Sequence, residues 1–313
     1  MAKFIAKRIL MMIPVLIGVM LVVFSMLYFT PGDAADFLLG ESATPLEKQF
    51  LREKLKLDQP YLIQFGNYVQ RIVFHGDMGI SYATKRPVMD ELMDRFPVTL
   101  NLSLLCIVFA AIVGVTTGVI SATKQYSVFD TLATGVAILG VSMPVFWLGL
   151  MLIILFSVQL GWLPPSGFVS PKYWILPMIT ASTNDTATIM RMTRSSMLEV
   201  VRQDYIRTAR AKGQREIVVI AKHALKNALI PIITVAGVAF GKLLGGSVLT
   251  ESIFSIAGIG KLMIDSIKVR DFPIVQGAVL FVAIVVCLVN LLTDIIYTYV
   301  DPRMRTLYAK DHK

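Results

Sequence analysis

Charged side chains are scarce in this chain. Only 16% of its 313 residues are charged, whereas 55% are hydrophobic, and the mean hydropathy is +0.68. A soluble domain carries about a quarter charged residues, so this balance favours a polytopic membrane protein. Because helices satisfy their own backbone hydrogen bonds inside lipid, we expect an all-α fold.

Cysteine and histidine are nearly lacking. Cys106 and Cys287 are the two cysteines, and both fall in apolar stretches, which argues against a disulfide framework. The histidines at positions 75, 223 and 312 make no metal-ligand spacing with one another or with cysteine. None of them falls within an apolar span, where it could activate a nucleophile. We therefore predict no catalytic and no metal-binding residues.

A phosphate-binding loop is also lacking. The run Gly258–Lys261 offers two glycines and a lysine, but Leu262 follows where Ser or Thr should bind magnesium. Ser255 also stands in place of the first glycine of that motif. The chain cannot bind ATP by this route, so any ATP chemistry must come from another subunit.

Long apolar runs are what the chain has instead. The first run covers 21 residues, which exceeds the roughly 7–15 of a signal peptide and suffices to cross a bilayer. We predict six transmembrane helices, at about Ile9–Phe29, Val98–Ala122, Phe129–Leu160, Trp174–Met190, Leu225–Leu249 and Ile274–Tyr297. The third is longer than a crossing requires and contains Pro144, so we expect it to kink or tilt.

Basic residues near the span ends predict that both termini are cytoplasmic. With the N-terminus inside, nine Lys or Arg lie in the cytoplasmic stretch from Arg191 to Lys226. The short external segments 161–173 and 250–273 hold one and three. The formal net charge of +9 is thus explained by topology, and we predict no nucleic-acid partner.

Residues 31–96 read as an extracytoplasmic amphipathic helical region. Thr44, Pro45 and Glu47 form a capping-box pattern with proline at the first helical position. The run Asp58–Pro60 closes this helix and begins a second one. Two interpretations stay open: a platform for an external partner, or a structural cover that packs on the bundle or on lipid.

Two charged residues, Asp185 and Lys242, fall inside apolar spans. Such charges usually face an interior cavity or pair with each other, so both are candidates for the translocation path. Lys242 can also snorkel toward the membrane surface, and an Asp185–Lys242 pair is the less favoured alternative. Small residues that permit close helix packing recur at Gly114, Gly118, Gly237, Gly241 and Gly245.

One long basic and helix-prone segment lies between the fourth and fifth spans, from Asp204 to Pro231. We expect Asp204 to cap a short helix that runs through Lys212, and Gly213 to form a left-handed break. A second helix should cover Gln214–His223, and Pro231 should mark entry into the fifth span.

This segment has the side chains of a docking element. Small residues that allow a partner's backbone to approach are Thr208, Ala209 and Ala211. Basic residues that can form charge-assisted hydrogen bonds to an acidic groove are Arg207, Arg210, Lys212 and Arg215. On spacing alone, a basic juxtamembrane helix on anionic lipid is the commoner explanation.

Asp204–Gly213 (DYIRTARAKG) and His223–Pro231 (HALKNALIP) together resemble the coupling loop, or EAA motif, of ABC-importer permeases. The resemblance is to the dipeptide/oligopeptide/nickel permease family, and it extends over nearly the whole chain. Other matching stretches are Thr30–Asp33, Gly76–Ser81, Ser142–Gly149, Leu163–Gly167, Glu251–Phe254, Gly258–Gly260, Arg270–Gly277 and Asp301–Arg303. The chain departs from the general motif, which begins Glu-Ala-Ala and has its proline nearer the glycine. It also has Ala257 where the family often has proline.

The resemblance implies a type I ABC-importer permease fold in a bacterial inner membrane. Implied partners are a second homologous permease, two ATPase subunits, an extracytoplasmic substrate-binding protein and membrane lipid. ATP and Mg belong to the ATPases, with no cofactor in this subunit. ATPase coupling falls to Asp204, Tyr205, Arg207, Thr208, Ala209, Arg210, Ala211, Lys212 and Gly213. The implied domains are a first helix (1–30), the external region (31–96), a permease core (97–300, coupling loop 204–231) and a cytoplasmic tail (301–313).

Cargo and transport class are the remaining alternatives. Di- and oligopeptides are the expected cargo, and nickel–chelate or glutathione systems share the same scaffold. A secondary transporter would usually show more spans with inverted repeats and broken helices. An intramembrane enzyme is disfavoured because no nucleophile is paired with a base.

Overall fold

Helices make up nearly all the regular structure. The computed structural model describes residues 2–30, 35, 39, 43–167 and 169–300. Within these residues, β-type pairing is limited to an isolated antiparallel bridge between Ile80 and Pro87, so the predicted all-α class is confirmed. The tail 301–313 with its Asp301–Arg303 motif, and residues 31–33 of the Thr30–Asp33 motif, lie outside the described residues.

The helices of the described residues have the following bounds. In the first half they are α1 (Ala2–Tyr28), α2 (Pro45–Lys54), α3 (Tyr61–His75), α4 (Val88–Thr123), α5 (Val128–Ser142) and α6 (Val145–Leu152), which the π-helical segment Ile153–Gln159 continues. In the second half they are α7 (Lys172–Val201), α8 (Asp204–Ala211), α9 (Glu216–Val218), the π-helical segment Val219–Leu225, α10 (Lys226–Gly246), α11 (Val248–Ile253), α12 (Ile259–Lys268) and α13 (Phe272–Val300).

Four described helices are long and apolar enough to cross a membrane: Ile5–Tyr28, Val88–Thr123, Glu216–Gly245 and Phe272–Ile296. A fifth crossing is counted if Val128–Ser142 and Val145–Gln159 form one span, although they meet at 107°. The kink expected at Pro144 is therefore a full break, because proline cannot continue the helical ladder. The fourth predicted span lies in α7, whose 30 residues are long enough but too polar to qualify. The count of six spans stays a prediction.

The chain divides into two compact units, residues 1–98 with 258–285 and residues 99–257 with 286–313. In the first unit, α1 packs on α3 through aromatic rings. The ring centroid of Phe24 lies 5.5 Å from those of Tyr61 and Phe65 and 5.6 Å from that of Tyr68. Such ring pairs stabilise beyond the area that they bury, and the same core includes Met20 and Phe281.

The start of α2 has the capping box that the sequence predicts. The hydroxyl of Thr44 accepts the backbone N–H of Glu47 at 3.4 Å, and the Thr44 N–H donates to Glu47 Oε2 at 2.8 Å. The Glu47 carboxylate accepts hydrogen bonds from the backbone N–H and from the hydroxyl of Thr44, and these two bonds hold the pKa of the carboxyl below its usual range. The break before the next helix is also confirmed, since α3 begins directly after Pro60.

A buried carboxylate, Asp271, fixes a loop in the first unit. Its oxygens accept the hydroxyl of Ser81 at 2.5 Å and the backbone N–H groups of Tyr82 and Ala83 at 3.0 and 3.1 Å. The Ser81 hydroxyl in turn accepts the N–H of Thr84 at 3.0 Å. Buried charges are stable when they are hydrogen-bonded in this way, so Asp271 holds the loop in one conformation immediately before α13.

In the second unit, α4 and α7 approach closely along the predicted glycine face. A Cβ added at Gly114 would lie 2.9 Å from the Thr186 carbonyl oxygen, and one at Gly118 would lie 2.7 Å from that of Met190. Gly237 of α10 also lies close to a neighbouring helix, because a Cβ added there would collide with the side chain of Thr293. Small residues allow such backbone approach between membrane helices.

Candidate functional site

The predicted docking segment, Asp204–Pro231, contains a separate short helix, α8. Gln203 is its extended N-cap residue and makes no side-chain capping bond, so Asp204 is the first helical residue. The helix ends at Ala211, and Lys212 is its C-cap. The prediction that Asp204 caps a helix through Lys212 is therefore one residue out at both ends. An acidic residue in the first turn still stabilises the helix by its charge.

Gly213 ends this helix in the left-handed conformation, with φ of +74°, as the sequence predicts. A Cβ at this position would meet nothing within 4 Å. The requirement for glycine is thus one of backbone conformation, because L-residues reach this region only with strain. The turn separates α8 from the following helix by a few residues and fixes its direction.

The two sides of α8 have opposite characters. Ile206 is 0% and Ala209 8% exposed, and both belong to an apolar cluster with Ile189 of α7 and Val219. Ala209 therefore packs within this chain, and its contact with a partner stays a prediction. The exposed residues of the segment are Asp204, Tyr205, Arg207, Thr208, Arg210, Ala211, Lys212 and Gly213.

Ion pairs order part of the exposed side. Arg210 donates to both carboxylate oxygens of Glu216, at 3.1 and 2.7 Å, and this hydrogen bonding raises the pKa of its guanidinium. Arg207 lies 3.9 Å from Asp204. Bidentate pairing fixes geometry as well as charge, so Arg210 braces the loop across its turn. Arg207, Lys212 and Arg215 are further exposed cations of this segment.

The chain re-enters a helix at Glu216, not at Gln214. From there α9, the π-helical segment and α10 follow without a break, so Pro231 lies inside α10 and does not mark a helix start. His223 Nε2 and Gln214 Oε1 are 2.8 Å apart and link the turn to the π-helical segment. π-helical segments are rare and are frequent at functional sites. The sequence gives no periodic signal for this one, because its apolar pattern also fits an α-helix.

The structure brings the two intramembrane charges together. Lys242 Nζ lies 3.8 Å from Asp185 Oδ1, and the side chains are 65% and 8% exposed. The less favoured alternative, a pair between them, is thus the observed geometry. The Lys242 side chain is mostly exposed, whereas the Asp185 side chain is buried.

A second ion pair was not predicted. Arg194 of α7 contacts Asp130 of α5 through Nε and Nη2 at 2.7 and 2.8 Å. The partners are 64 residues apart, and no spacing rule links them. The sequence feature that could have indicated this pair is Asp130 itself, a carboxylate in the first turn of a span. An acid at such a position needs either a charged partner or a helix N-terminus to stabilise it.

Known proteins resemble the whole chain. Residues 114–306 match the family of binding-protein-dependent transport system inner membrane components, and residues 1–103 match the N-terminal region of such membrane components. The dipeptide transport system permease DppB of Alkalihalophilus pseudofirmus is 44% identical over 97% of this chain and 100% of its own length. DppB of Escherichia coli is 43% identical, and the glutathione transport system permease GsiC of Escherichia coli is 41% identical, each over 97% of this chain and 99% of its own length.

Solved structures share the fold. A structure of the inward-facing methionine ABC transporter MetNI has a TM-score of 0.55 at 19% identity, over 68% of this chain and 97% of that one. An amino acid ABC transporter structure has a TM-score of 0.51 at 16% identity, over 69% and 94%. At such identities the likeness concerns the fold alone.

Fold and sequence together define the class of protein. The chain is a permease subunit of an ABC importer, a transport component and not a catalytic subunit. In particular, it belongs to the family of binding-protein-dependent transport system inner membrane components. The predicted location in a bacterial inner membrane follows from that membership.

Proposed function

We propose that α8 and Gly213 form the docking surface for a cytoplasmic ATPase that drives import. The observation that carries the proposal is the two-sided character of α8. Its apolar side, with Ile206 and Ala209, is buried, and Tyr205, Arg207 and Ala211 are exposed. A helix seated on the bundle and open on one side can transmit a push, whereas a flexible loop would absorb it.

Coupling is mechanical in this proposal. When ATP closes the two ATPases, their grooves displace α8. The displacement reaches α7, because only Arg202 and Gln203 separate the two helices. It also reaches α10 through the braced turn from Arg210 to Glu216. Both routes lead to the helices that carry Asp185 and Lys242, our candidates for the translocation path.

The complete importer contains a second homologous permease, two ATPases and an extracytoplasmic substrate-binding protein, all embedded in or resting on lipid. In this arrangement ATP and Mg are bound by the ATPases, and both permease termini face the cytoplasm. We infer that α7 also crosses the membrane and brings the number of crossings to six, because its buried polar residues face other helices instead of lipid. Residues 31–96 and 97–300 would then be the external region and the permease core.

For the cargo we propose di- or oligopeptides. Relatives over nearly the full chain are dipeptide and glutathione permeases, and glutathione is itself a short peptide. A nickel–chelate is the alternative on the same scaffold. The cargo is identified by the ligand that the cognate binding protein retains on purification, and retention of a metal chelate would select the alternative.

The docking proposal is tested at two exposed positions. Ala211→Trp places a bulky group on the open side of α8, and Gly213→Pro replaces a φ of +74° with one near about −65°. In proteoliposomes with the partner subunits, both variants should hydrolyse ATP without dipeptide uptake. Val169→Trp, at an 88% exposed position on the opposite, external side, is the matched control.

Two results would contradict the proposal. Unimpaired, ATP-dependent uptake in both Ala211→Trp and Gly213→Pro removes the docking assignment. Uptake driven by an ion gradient alone, with ATPase-deficient partners, makes the chain a secondary transporter. Ala209 is unsuitable for this test, because a bulky residue at a buried position would disturb packing before docking.

A further inference from the structure

A partly buried ion pair joins three helices of the second unit. The guanidinium of Arg194 in α7 makes two parallel hydrogen bonds to Asp130 in α5, from Nε at 2.7 Å and from Nη2 at 2.8 Å. The side chains are 26% and 5% exposed. The hydroxyl of Ser121, near the end of α4, donates to the same carboxylate. One carboxylate therefore connects α4, α5 and α7.

The turn between α4 and α5 is held by the same carboxylate. The backbone N–H of Tyr126 donates to Asp130 Oδ2 at 2.9 Å, and Tyr126 has a φ of +64°. A bulky residue in this region is strained and persists only where the surroundings fix it. Four donors from three elements thus converge on Asp130, which sets the relative position of these elements.

Arg194 lies on α7 between two sites of the proposed mechanism. Arg194 is nine residues after Asp185, about 14 Å along the helix axis, and seven residues before the helix end at Val201, about 10 Å. Close to it, α7 meets the glycine face of α4, since a Cβ on Gly118 would lie 2.6 Å from Thr193 Cβ. Helix α7, which leads into α8, is therefore held against α4 and α5 at the same height along its axis.

Stability alone does not account for this pair. Removing two charges from water costs about as much as their attraction returns, so apolar residues of similar volume serve folding equally well. What an apolar contact lacks is direction. Two parallel hydrogen bonds from a planar guanidinium fix both the rotation of α7 and its position along its axis relative to α5. A helix needs that constraint to transmit a displacement.

We propose that Asp130 and Arg194 are positioning residues for energy coupling. They lock α7 to α4 and α5, so that a push on α8 moves the three helices as one body. Without this ion pair, α7 rotates independently of its neighbours, and the displacement of α8 does not reach Asp185. The inference rests on the proposed docking of an ATPase at α8, and it adds the element that carries the motion inward.

The test compares three changes in proteoliposomes that contain the full importer. Asp130→Asn removes the charge and keeps the shape, Arg194→Lys keeps the charge and removes the fork, and the double variant Asp130→Leu/Arg194→Met replaces the pair with an apolar contact. We expect all three to retain the ATPase on purification and to hydrolyse ATP. Dipeptide uptake per ATP hydrolysed should fall by about tenfold, within the usual range of coupling between sites.

Asp94→Asn is the matched control. It breaks an ion pair of similar length, since Arg86 lies 2.9 Å from Asp94, but the Asp94 side chain is 58% exposed and belongs to the other unit. It should leave uptake per ATP unchanged. The apolar double variant separates positioning from folding: a stable importer that hydrolyses ATP without uptake supports the proposal, and a stable importer with normal uptake overturns it.

The outcome is also distinguishable from a failure of the docking proposal. If Ala211→Trp and Gly213→Pro uncouple the importer while the three pair variants transport normally, docking stands and the positioning role is wrong. If Asp130→Asn does not fold, the test rests on dipeptide uptake per ATP hydrolysed in Arg194→Lys and in the apolar double variant. Normal uptake per ATP in both then refutes the inference.

Discussion

Gly118→Ala is the sharpest test of the helix packing. Gly118 lies on α4, where an added Cβ would be 2.6 Å from Thr193 Cβ and 2.7 Å from the Met190 carbonyl oxygen. Cβ atoms do not normally approach other heavy atoms below 3.0 Å. The carbonyl oxygen is part of the α7 backbone, so no side-chain rotation relieves the contact, and the two helices must separate.

Gly135→Ala on α5 provides the reference. A Cβ there meets nothing within 4 Å, so only the helix-propensity gain of about 1 kcal/mol remains. That gain is common to both variants and cancels in their difference. Overpacking typically costs about 1–3 kcal/mol, and we expect Gly118→Ala to have a lower free energy of unfolding than Gly135→Ala by that amount.

The assay is denaturant unfolding of the purified chain in detergent, followed by tryptophan fluorescence. Gly135→Ala should match or exceed the parent protein, and the midpoint of Gly118→Ala should be lower. Equal midpoints for the two variants would show that α4 and α7 are not in close contact at Gly118. The rigid block on which the coupling mechanism depends would then be unsupported.

Three further predictions concern single side chains. Lys242→Ala should lower uptake severalfold, because it leaves the buried Asp185 carboxyl without the cation 3.8 Å away, and the double variant with Asp185→Asn should recover it; no recovery contradicts the pairing. Ser81→Ala should lower the free energy of unfolding by about 1–3 kcal/mol, since Asp271 loses a buried donor; an unchanged unfolding midpoint refutes this. Because the pKa of Glu47 is lowered, its capping contribution is present above its unfolded pKa of about 4.3 and is lost as pH falls through the folded value. Hydrogen exchange at the start of α2 should show this loss, and Glu47→Gln should abolish its pH dependence.

Local features of the structure were predictable because neighbouring residues cause them. The capping box at Thr44 and the break at Pro60 depend on side chains within three residues of the helix start. The left-handed Gly213 depends on the backbone freedom of one residue. The position of the break follows from Pro144 itself, but its angle of 107° depends on what the two halves pack against.

Burial within the docking segment was not predictable. Ala209 and Ala211 have the same side chain and lie two residues apart, yet one is buried and the other exposed. Their difference depends on which side of α8 meets Ile189 and Val219, and a helix of eight residues has too few turns to define that side by periodicity. Pro231 likewise suggests a boundary in the sequence, whereas membrane helices accommodate proline within them.

The membrane character, the all-α class and the family resemblance follow from the sequence alone, because composition, apolar run length and contiguous motifs define them, and the same motifs predict where the docking segment lies. The tertiary structure alone decided which side chains meet. Asp130 with Arg194, and Asp185 with Lys242, are paired by helix packing across distant parts of the chain. A charge on one helix carries no local mark of its partner on another, so only the packed bundle shows which residues would hold the docking helix in place.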